Sequence, residues 1–346
     1  MNTNVKDVIR QAKEIYQNCA DEFSKTIYMD KIAYAVSYDD RYIYKLLADS
    51  FPDTIKRLRE INPKDKVIVY GAGANLESTI LVCENLQLPV SYICDRDIEK
   101  QGSLYKGIPI ISPECLIREH QQAVIVISTT ACLKEVRKFL EGYFPKEKIV
   151  PFIDEKQFAQ MQQQYFDEVV VLKDGEVFVD GGCFDFGTSK VLLNKCKPEK
   201  IYAFEPDEGN LEKVRAQIGE CAGVEVIPAG LWECNATLHF SEQGSIMSRV
   251  DEDGKSEIKA VAIDEVIDGR VTFIKMDIEG SELKALMGAA QKIKKYKPKL
   301  AICIYHKPED LVEIPAYILS LVPEYKFYIR HYSLSAAETV LYAIMP

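Results

Sequence analysis

Residues 176–187 read Glu-Val-Phe-Val-Asp-Gly-Gly-Cys-Phe-Asp-Phe-Gly, and the fold of the second half of the chain turns on them. The apolar run Val177 to Val179 predicts a buried strand that ends at Asp180. Gly181 and Gly182 then make a turn, Gly187 opens the next segment, and Val191, Leu192 and Leu193 predict a helix. About twenty residues on, a second apolar run, Ile201 to Phe204, ends in Glu205, Pro206 and Asp207.

Strand, glycine turn, helix, strand and acid is the plan by which open parallel sheets bind nucleotide-like ligands. Glycines let the backbone approach a ligand closely, and an acid at the tip of the second strand accepts both hydroxyls of a ribose. The spacing here departs from the Gly-x-Gly-x-x-Gly turn that seats a pyrophosphate on a helix N-terminus. An acid closes the first strand, and Asp180 would repel a pyrophosphate. It suits a ligand with a cationic amino-acid end, such as S-adenosylmethionine.

A third stretch, Thr272 to Glu282, reads Thr-Phe-Ile-Lys-Met-Asp-Ile-Glu-Gly-Ser-Glu, a buried strand that runs into carboxylates and then a helix through Leu283, Leu286 and Met287. The set Val179 to Gly182, Ala203 to Asp207 and Ile274 to Gly280 resembles the FkbM family of S-adenosylmethionine-dependent methyltransferases. The resemblance covers roughly residues 170–346 and rests on three motifs in order. It implies a class I methyltransferase fold, S-adenosyl-L-methionine as cofactor, and methyl transfer to a hydroxyl on a sugar or glycan-related small molecule.

Asp180, Glu205, Asp277 and His306 all fall at expected strand ends, so one crevice should gather them. Asp180 is assigned to the methionine amino group, directly or through water. Glu205, followed by Pro206, is assigned to the ribose. The turn containing Gly181, Gly182, Phe184 and Gly187 is assigned to close backbone approach. Trp232 follows the third strand, where methyltransferase folds border the adenine, and either covers the ring or fills the core. Asp277, Glu279 and His306 are the candidates for acceptor binding and proton removal. His306 is the first choice of base because imidazole titrates near neutrality. In the plainer alternative, Asp277 holds cofactor, Glu279 caps the helix near Gly280 and His306 orients a carboxylate. Asp277 and Glu279 offer two oxygens to a Mg²⁺ ion, but the rest of a ligand set is missing from the pattern, so no obligatory metal is expected.

The first half has its own plan. Residues 1–62 read as a helical segment rich in tyrosine, which either anchors a cap to the next domain or walls a sugar-like substrate or a partner subunit in a homo-oligomer. After Asn62 and Pro63, the run Lys66 to Tyr70 leads into Gly71-Ala72-Gly73, and Val90 to Cys94 leads into Asp95, 24 residues after Gly71. Further strands at 107–111 and 123–128 make residues 63–152 a small Rossmann-like domain with a parallel sheet. Gly71, Gly73 and Asp95 would bind a nucleotide or sugar nucleotide, although the fingerprint lacks its third glycine; a purely structural domain is the alternative. Residues 153–169 read as a linker helix and 170–346 as the catalytic domain. Five parallel strands followed by an antiparallel hairpin are expected there. The loop from Glu242 to Arg249 is a candidate lid. The fold class is therefore α/β, with two Rossmann-like parallel-sheet domains.

The bulk numbers agree. Of 346 residues, 47% are hydrophobic, enough to fill more than one core. A net charge of −10 argues against nucleic acid as a partner. No apolar run approaches the ~20 residues of a membrane span, and the N-terminus lacks an apolar signal region, so a cytoplasmic location is expected. The 10 cysteines contain no Cys-x-x-Cys pair and read as reduced thiols. Two competing functions remain at this stage: a sugar-nucleotide or dinucleotide binding module without methyl transfer, and an NAD-dependent oxidoreductase using Gly71, Gly73 and Asp95. Asp180, Glu205 and Asp277 standing together speak against the first, and no hydride-transfer set supports the second.

Overall fold

Apolar runs rich in β-branched residues, alternating with helical patterns, fold as two parallel-stranded sheets. The structure, a computed structural model, describes residues 5–219, 223–241, 249–250 and 256–346. The candidate lid, apart from Arg249, lies outside the described residues. The chain forms two compact units, a smaller one of Ala33–Gln163 and Tyr332–Ala336, and a larger one of Met1–Ile32, Gln164–His331 and Ala337–Pro346.

The smaller unit holds strands β1 (Val67–Tyr70), β2 (Val90–Cys94), β3 (Leu104–Tyr105), β4 (Ile108–Ile111), β5 (Val124–Ile127) and β6 (Ile149–Pro151), in the order β3-β4-β2-β1-β5-β6. All neighbours are parallel except β3 and β4. The sequences Val-Ile-Val-Tyr and Val-Ile-Val-Ile of β1 and β5 are buried along their whole length, as central strands covered on both faces must be. The linker helix expected over 153–169 is shorter, Glu155–Met161, and it belongs to this unit. Asp154 and Gln157 close a capping box at its start, and Arg57 from the helix Pro52–Arg59 pairs with Asp154 at 2.8 Å.

The larger unit holds a seven-stranded sheet in the order β16-β17-β15-β14-β7-β8-β9. Its strands are β7 (Val177–Gly181), β8 (Lys200–Phe204), β9 (Val224–Ile227), β14 (Phe273–Met276), β15 (Lys299–Cys303), β16 (Lys326–His331) and β17 (Thr339–Ile344). The first five are parallel, and β17 runs antiparallel to both β15 and β16, which is the expected hairpin. Between β9 and β14 the short strands β10 (Gly230–Leu231), β11 (Ala236–Ser241), β12 (Arg249–Val250) and β13 (Ser256–Val261) form a second sheet, with β11 and β13 antiparallel.

The helical segment expected over 1–62 comprises four helices among the described residues, and the boundary between the units falls inside the second, Glu22–Ser37. Its first part belongs with β16. Cys19 bridges to Phe327, Asn18 Nδ2 donates to the Tyr325 carbonyl at 2.9 Å, and Arg330 pairs with Asp21 at 2.8 Å. These contacts cover what would otherwise be an open sheet edge.

Candidate functional site

The adjacent strands β15, β14, β7 and β8 end side by side, so the residues just beyond them meet at one edge of the sheet. Gly182 is the tightest point. Its φ is +73°, and a Cβ there would stand 2.0 Å from the Asp277 carbonyl oxygen. Only glycine lets the turn after β7 pass so close to the turn after β14. The turn is tied to β8 as well: the Gly182 and Cys183 N–H groups donate to the Phe204 carbonyl at 3.1 and 3.0 Å. The Phe184 N–H donates to Glu205 Oε2 at 3.0 Å.

Lys275 holds this turn from beneath. It sits in the middle of β14, 2% exposed, and its Nζ lies 3.2 Å from Asp180 Oδ1. The same Nζ donates to the Gly181 and Gly182 carbonyls at 3.1 and 2.8 Å. Nζ thus makes two hydrogen bonds to backbone carbonyls, with Asp180 as its counter-charge. Burial works against its charge, but Asp180 and Asp277 outweigh it and raise the Lys275 pKa. Asp180 is fully buried and also accepts from Ser189 Oγ at 2.6 Å. It is absent from the lining of the cavity. Asp180 was expected to meet a cofactor amino group directly or through water; here it is the buried counter-charge of Lys275 and does not itself line the cavity.

A cavity of about 660 Å³ opens above the turn, lined among others by Gly182, Phe184, Glu205, Pro206, Asp277 and Glu279. Glu205 is buried and accepts from the Asp207 N–H at 3.0 Å in addition to Phe184. Gly181 and Gly187 stand behind the lining. Gly181 packs under Leu231, and the Gly187 N–H donates to Asp185, which does line the cavity. Trp232 is outside it. Leu231 takes the wall position, and adjacent residues of an extended chain face opposite ways. The Trp232 ring lies instead under Lys284, 5.8 Å from the Nζ.

Asp277 is the hub of the polar wall. It accepts from Tyr165 Oη at 2.6 Å and from Tyr305 Oη at 3.2 Å. Burial would raise its pKa, but Lys275, Tyr165 and His306 hold it below the usual carboxylate value. Tyr305 also donates to Glu338 at 3.3 Å. Glu279 lines the cavity with φ +54°, and burial raises its pKa against the pull of His306. Glu338 is raised likewise, by burial and by Asp277.

His306 stands among three carboxylates. Its Nδ1 lies 3.0 Å from Glu282 Oε1, and its Nε2 lies 3.4 Å from Asp277 and 3.6 Å from Glu279. Burial disfavours the imidazolium, but Glu282, Asp277 and Glu279 together raise its pKa to about 9. Sequence reasoning gave no role to Lys275, Tyr165, Glu282 or Glu338. A lysine inside the apolar run of β14 was the one available signal.

In the smaller unit, Asp95 Oδ2 accepts from the Ala72 N–H at 2.6 Å and Oδ1 from the Asp97 N–H at 2.8 Å. The acid thus supports its own glycine turn. A cavity of about 390 Å³ lies beside that turn, lined by Gly73, Glu77, Lys100 and Tyr105 among others, without Gly71 or Asp95.

Residues 176–328 match the Methyltransferase FkbM domain. The resemblance read from the three motifs holds over that span, and the seven-stranded sheet is the fold it implied. Among solved structures, a methyltransferase FkbM from Methylobacillus flagellatus KT is similar at 22% identity, over 93% of this chain and 99% of that one, with a TM-score of 0.48. An rRNA methylase from Streptococcus thermophilus is similar at 14% identity, over 55% of this chain and 95% of that one, with a TM-score of 0.35. Fibrillarin from Aeropyrum pernix, with natively bound S-adenosyl-L-methionine, is similar at 9% identity, over 54% and 76%, with a TM-score of 0.35. No curated protein matches the chain. Among the described residues no helix is long and apolar enough to cross a membrane.

Proposed function

We propose that the larger unit transfers a methyl group from S-adenosylmethionine to a hydroxyl of a sugar or glycan-related acceptor. One observation carries the reading: Glu205, at the end of β8, faces the same cavity as the glycine turn of β7 and as Asp277. In this reading Glu205 takes the ribose hydroxyls, and the backbone from Gly182 to Phe184 lies along the cofactor. Asp277 and Glu279 face the acceptor. Glu279, with its raised pKa, is the stronger base of the two. The net charge of −10 disfavours an RNA acceptor.

Titration calorimetry with S-adenosylmethionine, S-adenosylhomocysteine and NAD tests this directly. The first two are expected to bind and NAD not to bind. Glu205→Gln is expected to lose roughly 10–100-fold in affinity, since hydrogen bonds to a charged group are worth about 1.5–3 kcal/mol. Tight binding of NAD alone would sink the proposal.

Binding should also depend on acidity. Burial raises the Glu205 pKa, with the Asp207 and Phe184 N–H groups and the Asn210 side chain opposing it. A carboxyl with a raised pKa takes up its proton at a higher pH than an ordinary glutamate at about 4.3. Affinity for S-adenosylmethionine is therefore expected to be flat near neutrality and to fall on acidification before that value is reached. The same shift means that this group favours the fold at low pH and opposes it as the pH rises through its pKa. Trp232→Phe is the counter-case. Because the ring stands outside the cavity, it should change the affinity by less than about twofold.

A second reading, a nucleotide or sugar nucleotide bound beside Gly73, is supported by the cavity of about 390 Å³ in the smaller unit. Titration with a uridine or guanosine diphosphate sugar checks it, and Lys100→Ala should abolish any binding that occurs there.

A further inference from the structure

We propose that Asp277, Glu282 and His306 form a binding site for one divalent transition-metal cation. Each residue offers a donor atom, and the three atoms lie within 4.8 Å of one another. The closest approaches are 3.0 Å from His306 Nδ1 to Glu282 Oε1 and 3.4 Å from Nε2 to Asp277 Oδ1. Cations of this class hold nitrogen and oxygen donors at about 2.0–2.2 Å, which sets neighbouring donors about 3 Å apart.

A separate observation is the lack of well-aligned hydrogen bonds on the buried groups of this cluster. The His306 side chain is only 9% exposed, yet neither ring nitrogen makes a hydrogen bond of good geometry. Glu282 is 0% exposed, and its Oε2 also has no hydrogen-bond partner. Buried polar atoms are nearly always partnered. Here three such atoms lie on two buried side chains from different elements. A cation there would take one His306 nitrogen together with one oxygen each from Asp277 and Glu282.

The donor set selects the ion. One imidazole with carboxylates suits Mn²⁺, Fe²⁺ or Zn²⁺ better than Mg²⁺ or Ca²⁺, which prefer oxygen alone. Asp277 and Glu279 also line the large cavity, and Glu279 Oε2 lies 3.6 Å from His306 Nε2. The open coordination positions of the ion would therefore face the cavity and receive an oxygen of whatever occupies it. The inference goes beyond the methyl-transfer reading and does not need it, since its readout is metal retention.

The test is Mn²⁺ titration of the chelator-treated full chain, with free Mn²⁺ followed by electron paramagnetic resonance. Mn²⁺ has little affinity for thiols, so the cysteines do not confuse the count. One Mn²⁺ per chain is expected. Glu282→Gln and His306→Asn should each weaken it roughly 10–100-fold while the Trp232 emission of the folded chain is kept. His306→Asn serves on its own if Glu282→Gln does not fold. Failure of the unaltered chain to retain Mn²⁺ would overturn the proposal, as would unchanged affinity in a folded variant. The other described cluster with metal-ligand spacing is Cys115, Glu119 and His120. Loss of Mn²⁺ in His120→Asn, with retention in His306→Asn, would place the ion there and overturn the assignment.

Discussion

Lys275→Met is expected to destabilise the larger unit by roughly 3–5 kcal/mol, the usual cost of leaving one member of a buried ion pair without its partner. Asp180 is fully buried, and the Lys275 ammonium is its counter-charge at 3.2 Å. The same substitution releases the two glycine carbonyls that Nζ holds. Trp232, the only tryptophan, lies in the larger unit, so its emission reports the unfolding of that unit separately from the other. Its midpoint should fall by roughly 6–20 °C, at about 2–4 °C per kcal/mol for a body of this size. The double variant Asp180→Asn with Lys275→Met removes both charges and should recover part of the loss. A single variant within about 1 kcal/mol of the parent would show that the pair is not the keystone described here.

Gly182→Ala is expected to abolish cofactor binding and to unfold or distort the turn. A residue with a side chain at φ +73° carries backbone strain of about 1–3 kcal/mol. The larger obstacle is steric. The new Cβ would stand 2.0 Å from the Asp277 carbonyl oxygen and 3.1 Å from Ile278 Cγ2, both on the segment that follows β14. Relief requires that segment to move away, and Asp277 with it, so the wall of the cavity shifts even in a protein that still folds. Gly73, in the other glycine turn, is the internal comparison. No atom lies within 4 Å of a Cβ placed there, and its φ is not positive. Gly73→Ala should therefore stay within about 0.5 kcal/mol of the parent. Thermal unfolding and calorimetry on the two alanine variants decide the matter. Equal behaviour would mean that close approach is not what Gly182 provides.

The parts of the fold that were legible in the sequence are those set by local rules. Apolar runs such as Phe273 to Met276 announce strands, the acid or glycine after each announces its end, and alternation with helices implies parallel pairing. Glu205, Asp277 and Glu279 could be named because they immediately follow such runs. Asp180 reads in sequence as a strand-end acid facing a ligand, and the structure sets it against Lys275. A strand-end acid looks the same in sequence whether it meets a ligand or a buried lysine on the next strand, and the choice is made by the β7–β14 register, in which Asp180 faces Lys275. Trp232 reads in sequence as either a cover for the adenine or a core residue, and the cavity wall is formed by its neighbour Leu231; one residue in an extended segment is a change of face. His306 was located correctly, but its proton affinity depends on three carboxylates from the segment after β14, which no periodicity reveals. Tyr165 and Glu338 were beyond reach because tertiary packing brings them in. The Tyr165 N–H is fixed by Tyr342 Oη at 3.1 Å, across 177 residues of sequence.

The hydrogen bond between Asn18 and the Tyr325 carbonyl spans 307 residues of chain. During synthesis the first helices must leave the ribosome long before β16 exists. At about 5–20 residues per second, the interval is roughly 15–60 s. For that time the face that later covers β16 is exposed to proteases and to other chains. The smaller unit, whose main segment is complete at Gln163, can fold meanwhile, whereas the larger one cannot close until β16 has been made. Its yield in a cell should therefore respond to translation speed and to chaperone supply more than its native stability alone would suggest.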